Sequence, residues 1–70
     1  MEIISTLHAE LRINNRNLTK EEFLDSVRFP EMTEKKHGKY YAQKNLGRGT
    51  IEIVYEKTER YIKVITVYWL

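Results

Sequence analysis

The segment HAELRINNR, residues 8 to 16, places one proton-carrying and two cationic side chains at a spacing of four residues. His8, Arg12 and Arg16 form one row if the segment is helical, because positions four apart differ by only about 40° around a helix axis. Arginine offers a planar fork that suits phosphate oxygens, and histidine can transfer a proton near neutral pH. The row therefore indicates a phosphate site, unless the arginines only cover the edge of a core with their aliphatic stems.

Four residues in the second half of the chain are candidates to join this row. Lys44 and Arg48 lie at the end of a predicted strand and in the turn after it, where they could bind a nucleic acid. Thr66 and Tyr68 alternate along the last predicted strand, and if their face meets the helices, His8 is a candidate partner for the Thr66 hydroxyl. No cluster of metal ligands and no glycine-rich phosphate loop accompanies them, so we expect no cofactor.

The elements that must position these residues follow from the hydrophobic pattern. Leu7 and Leu11 define the apolar stripe of a helix from Thr6 to about Asn15, with Ser5 or Thr6 as its N-cap. If both leucines face the core, the cationic row lies at the boundary between core and water. The pattern therefore predicts that the side chains of the row are partly fixed by the core and partly free in solvent.

A second helix begins with a clear capping signal. Thr19 and Glu22 form a T-x-x-E capping box, and the helix should end by Phe29 because Pro30 disfavours helical geometry at the residue before it. Residues 31–38 read as a charged connector. After this connector the hydrophobic pattern changes to a period of two residues, which is typical of β-strands.

Three segments carry that period and are rich in β-branched and aromatic residues, namely 39–46, 50–57 and 60–69. The prediction is a single α+β domain over residues 1–70, with two N-terminal helices packed on a three-stranded antiparallel sheet. The 70 residues include no cysteine, so no disulfide framework is expected. The net charge of +2 is too modest to prove a nucleic-acid partner, although the second half of the chain is the basic one. No segment is apolar over the ~20 residues that cross a bilayer, and we expect a cytoplasmic protein without a membrane partner.

The last predicted strand is apolar on both faces, interrupted only by Lys63 and Thr66. As the third strand of a meander it would be an edge, and an apolar edge invites another chain to pair with it. We therefore expect a homodimer through this strand, or an inhibitor segment that adds a strand to it. The alternative is an interior strand, with residues 1–4 alongside.

The order of the motifs resembles that of a small prokaryotic family, the domain of unknown function 4258, over nearly the whole chain. The motifs are the row H-x-x-x-R-x-x-x-R, then LTKEEF, YYAQKNLG, IEIVYE and IKVITVYW. That family is grouped with BrnT-type toxins and, more distantly, with RelE-type ribonuclease toxins. The resemblance implies an α-α-β-β-β version of the RelE/barnase-like fold and RNA cleavage without a metal.

By position, the resemblance assigns this chemistry to His8, Arg12, Arg16 and Thr66, with Tyr68 completing a closing T-x-Y motif. The histidine would supply an acid or a base, and the arginines would stabilise the charge on phosphorus. An antitoxin protein is the partner that a toxin implies. Two other interpretations stay open: a non-catalytic module of the same fold that binds protein or nucleic acid, and a small structural protein.

Overall fold

The computed structural model describes residues 2–15 and 17–70, so Arg16 of the predicted row lies outside the described residues. The described residues form two helices and five strands, in the order β1 (Glu2–Ser5), α1 (Leu7–Asn15), α2 (Lys20–Arg28), β2 (Met32–Lys36), β3 (Lys39–Asn45), β4 (Thr50–Lys57) and β5 (Tyr61–Trp69). Both helices are nine residues long, and in the described part of the chain no helix has the length and apolar character to cross a membrane.

The strands form one mixed sheet in the order β1-β5-β4-β3-β2. β1 runs parallel to β5, and the other neighbouring pairs are antiparallel. The class is α+β as expected, but the predicted three-stranded antiparallel sheet and the α-α-β-β-β order are wrong. The three predicted strands are present as β3, β4 and β5, and β1 and β2 extend the sheet on either side.

The β2 strand replaces the predicted charged connector. It pairs with β3 through a two-residue turn in which His37 and Gly38 have φ angles of 52° and 77°. Two positive φ values in succession are what a tight hairpin of primed type requires. Every residue of β2 is exposed, so the strand has none of the hydrophobic alternation by which a strand is recognised in sequence.

The β5 strand lies inside the sheet because β1 occupies its outer side. Ile3 pairs with Ile62, and Ser5 pairs with Val64. The prediction that this strand is an exposed edge is therefore wrong, and it was the basis for a homodimer through that strand. The actual edges are β1, with four residues, and β2, which is charged; short and charged strands are how natural sheets protect their edges.

The α1 helix presents a different face to the core than its leucines suggest. Leu7 is 74% exposed and Leu11 is 54% exposed, whereas Ala9 is fully buried and Ile13 packs against the core. The cause lies at the helix start. Thr6 donates from its backbone nitrogen to the Val64 carbonyl (3.2 Å) and caps the helix by accepting from the Ala9 nitrogen (3.1 Å).

The α2 helix has the ends that the sequence predicts. Thr19 accepts from the Glu22 nitrogen at 3.1 Å while the Glu22 carboxylate accepts from the Thr19 nitrogen at 3.1 Å, so the capping box is confirmed. The helix ends at Arg28, and Phe29 is its C-cap. Rigid ends of this kind fix where the helix lies against the sheet.

Both helices pack on one face of the sheet. The buried core consists of Ala9, Phe23, Val27, Ala42, Ile51, Ile53, Tyr55, Val64 and Val67. Side chains alternate along a strand, so the residues between these point to the opposite side. We call that side the open face; its central members are Tyr41, Gln43, Glu52, Val54, Thr66 and Tyr68.

Candidate functional site

A β-bulge decides which residues of β5 reach the open face. Val54 pairs with Thr66, but the next residue, Tyr55, pairs with Val64, so Ile65 is an extra residue in β5. An extra residue reverses the alternation beyond it. Val64 and Val67 consequently both face the core. Thr66 and Tyr68 therefore lie on the opposite face from Ile62 and Val64, so the face that they share is not the one that meets the helices.

The first pair of the site joins α1 to β5. His8 Nε2 and Thr66 Oγ1 lie 3.2 Å apart in a hydrogen bond, as the sequence predicted for these two residues. The residue before the helix, Thr6, bonds to β5 at the Val64 and Ile65 carbonyls. β1 has ended there, so α1 continues along the edge of β5 and brings the exposed His8 ring to the border of the open face.

A second group of bonded side chains lies one step further along the strands. Glu52 is directly opposite Gln43 on one side and Tyr68 on the other. Its carboxylate accepts a hydrogen bond from Gln43 Nε2 at 2.7 Å and a short one from the Tyr68 hydroxyl. Only 8% of Glu52 is exposed, although no helix covers this face in the described part of the chain.

The bond from Tyr68 to Glu52 sets the state of the phenol. Hydrogen bonding to the Glu52 carboxylate, together with burial and the nearby negative charge, raises the pKa of Tyr68 to about 12. The phenol is therefore protonated at neutral pH and acts as a donor. A role for Tyr68 as an independent base, which would need a lowered pKa, does not fit this environment.

Sequence reasoning missed Glu52. The segment TIEIVYEK places it between two isoleucines that are both fully buried. A glutamate at the centre of an otherwise apolar strand is unusual, because buried carboxylates are rare unless they are paired. The place of Glu52 in an apolar strand was therefore the signal in the sequence that could have identified it. Its hydrogen-bond partners are known only from the structure.

Arg12 follows His8 by one helical turn and is partly buried. Its guanidinium forms no hydrogen bond or ion pair with residues 2–15 or 17–70. A cation next to the His8–Thr66 pair can bind an anionic ligand without first breaking an internal bond. Arg16, the third member of the predicted row, lies outside the described residues.

The other two predicted cations are used inside the fold. Lys44 donates from Nζ to the Phe29 carbonyl at 2.9 Å, next to the end of α2. Arg48 forms a two-pronged ion pair with Glu22 and donates to the Asn17 carbonyl at 2.8 Å. The structure does not bring these two residues to the His8–Thr66 pair.

The ion pair with Arg48 also changes the pKa of its partner, Glu22. Hydrogen bonds from the Arg48 side chain and from the Thr19 backbone lower the pKa of Glu22 from 4.5 to about 2. Arg48 in addition lies 5.4 Å from the centre of the Trp69 ring, so it connects α2, the β3–β4 loop and β5. We conclude that Arg48 connects α2 and the segment before it to the sheet.

The His8–Thr66 pair and the group around Glu52 offer different functional groups to a ligand. His8 offers a proton donor or acceptor at the surface, Arg12 offers a cation, and Glu52 with Tyr68 offers a bonded carboxylate and phenol. Within the described residues, no three His, Cys, Asp or Glu side chains are grouped so that they could hold a metal ion.

Comparison with known proteins identifies one family. Residues 5–69 match the family model described as "Domain of unknown function (DUF4258)". The match includes every residue of the site from His8 to Tyr68. Searches of the curated proteins and of the solved structures gave no match.

Proposed function

The chain belongs to the DUF4258 family, and we propose that it is a metal-independent ribonuclease related to BrnT- and RelE-type toxins. The observation that carries the proposal is the hydrogen bond of 3.2 Å between His8 and Thr66, with Arg12 one turn away. It provides a positioned proton carrier beside a cation at the surface. These are two of the groups that the cleavage of RNA by its own 2′-hydroxyl needs.

In this reaction the 2′-oxygen attacks phosphorus, and the 5′-oxygen leaves with a proton. His8, held by Thr66, donates that proton from its imidazolium form. Arg12 stabilises the additional negative charge on the pentacovalent phosphorus, because its guanidinium can bind two phosphate oxygens at once. None of these steps requires a metal ion.

The open face supplies a surface on which a single RNA strand can lie. Tyr41, Tyr61 and Tyr68 all belong to this face by strand register. Aromatic rings on an exposed sheet stack with unpaired bases, and each such contact contributes about 1–3 kcal/mol. Lys36, 6.0 Å from the centre of the Tyr41 ring, places a positive charge beside that platform.

The test is cleavage of single-stranded RNA in the presence of EDTA. Wild-type protein should cut the RNA, and His8→Ala should lose at least ~10²-fold in rate, as expected for the loss of a general acid. His37→Asn is the matched control, because His37 is the other histidine, lies in the exposed β2–β3 turn, and has a positive φ angle that asparagine tolerates. The control should cut at the wild-type rate.

Kinship with toxins has its own test, since the support for it is the sequence resemblance alone. Expression of the wild-type chain in a bacterial host should slow growth, and His8→Ala should relieve the effect. An antitoxin is the protein partner that we propose, encoded next to this gene. A host that grows normally despite RNA cleavage in vitro would separate the ribonuclease proposal from the toxin proposal.

A non-catalytic RNA-binding module is the second candidate. The observation that favours it is the three tyrosines of the open face, because stacking needs no proton transfer. Under this alternative, Tyr41→Ala weakens RNA binding while intact RNA is recovered after long incubation. The ribonuclease proposal instead requires cut RNA under the same conditions.

A further inference from the structure

The Glu52 side chain is buried without a compensating cation. Its two carboxylate oxygens bond to Tyr68 and Gln43, which are both neutral donors. No lysine or arginine of the described residues forms a salt bridge with it. Glu56, four residues further along β4 on the same face, is by contrast exposed.

Such a carboxylate weakens a small domain. Moving a charge out of water is costly, and neutral hydrogen bonds offset only part of the cost. A β-branched residue at this central strand position would stabilise the sheet better. Titratable groups that burial and neighbouring groups perturb cluster at functional sites, where they hold or move protons.

We propose that Tyr68 and Glu52 form a relay that removes the proton from the 2′-hydroxyl of RNA, opposite the proton donor His8. The proposal rests on the proposed ribonuclease function and identifies the second proton carrier that it needs. Tyr68 contacts the substrate, and Glu52 acts through Tyr68 as the final proton acceptor. Gln43 holds the other carboxylate oxygen and so orients Glu52 toward Tyr68.

The step balances without any additional reactant. The 2′-hydroxyl proton passes to the Tyr68 oxygen as the phenol proton passes to Glu52, so the tyrosine stays neutral. The 2′-oxygen forms its bond to phosphorus, the bond from phosphorus to the 5′-oxygen breaks, and His8 protonates the leaving oxygen. The products are a 2′,3′-cyclic phosphate and a 5′-hydroxyl, and exchange with water resets both proton carriers.

The residue that holds the proton donor lies on the same face of β5 as the residue that receives the proton. Thr66, which holds His8, and Tyr68 are two residues apart on β5 and therefore about 7 Å apart along the strand. In the proposed step, a phosphodiester between them directs its 5′-oxygen toward His8 and the neighbouring 2′-hydroxyl toward Tyr68. The titratable groups that face Glu52 from neighbouring strands are the phenols of Tyr68 on β5 and Tyr41 on β3.

The relay itself is checked by titrating the tyrosines in ultraviolet light. In the wild-type protein one tyrosine should titrate with a pKa of about 12, and Tyr68→Phe should remove that transition. Glu52→Gln should move it toward the ordinary value of about 10, because the carboxylate that raises it is gone. This measurement requires no RNA and reports whether the bond exists in solution.

The role of the relay is checked by RNA cleavage as a function of pH. Glu52→Gln should lose at least ~10²-fold in rate and lose the rise of rate with pH that a base produces. Glu56→Gln is the matched control on the same face of β4 and should keep both rate and profile. If Glu52→Gln fails to fold, Tyr68→Phe replaces it, since that change keeps the ring and removes only the hydroxyl.

A substrate that needs no acid separates the two proton carriers. The probe is a ribonucleoside 3′-phosphate esterified with nitrophenol, whose leaving group departs without protonation. His8→Ala should recover most of its activity on this ester, whereas Glu52→Gln and Tyr68→Phe should stay at least ~10²-fold slow. A variant that is slow only because its structure is damaged would cleave both substrates slowly, and its rate would keep the pH dependence of the wild type.

The outcomes distinguish this inference from the function on which it rests. A wild-type protein that cuts neither RNA nor the ester overturns both. Cleavage that depends on His8 but proceeds at the wild-type rate and pH profile in Glu52→Gln and Tyr68→Phe overturns the relay alone. Cleavage lost in all three variants, with the nitrophenyl ester rescuing only His8→Ala, supports both.

Discussion

His8 Nε2 and Thr66 Oγ1, from residues 58 positions apart in sequence, lie 3.2 Å from each other at the border between α1 and β5. The hydroxyl fixes the direction of a ring that is otherwise exposed. Because Nε2 is engaged by Thr66, the other ring nitrogen, Nδ1, is the one that remains for a ligand. The proposed role of His8 as an acid depends on this hydrogen bond.

Replacing Thr66 should therefore reduce turnover more than binding. We expect Thr66→Val, which keeps the shape but removes the hydroxyl, to lower kcat several-fold with little change in KM, because the ring is held less well and not removed. Thr66→Ser should restore most of the rate. A Thr66→Val protein with the wild-type kcat would show that the bond does not orient His8 for the reaction.

The salt dependence of RNA binding measures the role of Arg12. Each phosphate contact with a single strand contributes about 0.7 to the slope of log K against log salt. Arg12→Ala should reduce the slope by about that amount. Arg28→Ala provides the control, because Arg28 is an exposed arginine in the last turn of α2. An equal reduction in both variants would indicate that net charge, and not the site, binds the RNA.

The orientation of α1 can be tested by stability. Leu11→Ala should change the free energy of unfolding by less than about 0.5 kcal/mol because Leu11 is exposed. Ala9→Leu should destabilise by about 1–3 kcal/mol, since Ala9 is fully buried and a larger side chain would overpack the core. Urea unfolding of the two variants measures both values. The opposite ranking would contradict the helix orientation.

Acid should weaken the connection between α2 and the β3–β4 loop. The pKa of Glu22 is lowered from 4.5 to about 2, so its stabilising effect is complete above 4.5 and is lost as the pH falls through about 2. The urea midpoint of the wild type should therefore exceed that of Glu22→Gln at pH 6, and the gap should narrow below pH 4.5. A gap that is constant down to pH 2 would show that Glu22 titrates normally.

Local signals in the sequence were sufficient for both helices and for three of the five described strands. The capping box of Thr19 and Glu22 depends on residues three apart, and the strands β3, β4 and β5 show a clear period of two. The pairing of His8 with Thr66 was also accessible, because a polar hydroxyl in an apolar strand needs a partner. Each of these inferences needed only nearby residues or one chemical requirement.

The remaining features depend on interactions between distant segments. β1 forms by pairing with the outer edge of β5. β2 forms because the turn at His37 and Gly38 brings a fully exposed segment back to pair with β3. The bulge at Ile65 moves Thr66 and Tyr68 to the open face, and no local pattern marks it. For the same reason the Tyr68–Glu52 pair appears only once the strand register is known.

The ends of the cleaved RNA provide the most direct test of the central claim. Wild-type protein in EDTA should produce 2′,3′-cyclic phosphate and 5′-hydroxyl ends, because the reaction uses the 2′-oxygen as its nucleophile and His8 as its acid. A substrate with 2′-deoxyribose at the cut position should bind and stay intact. Products with 5′-phosphate and 3′-hydroxyl ends, or cleavage of the deoxy substrate, would contradict the mechanism.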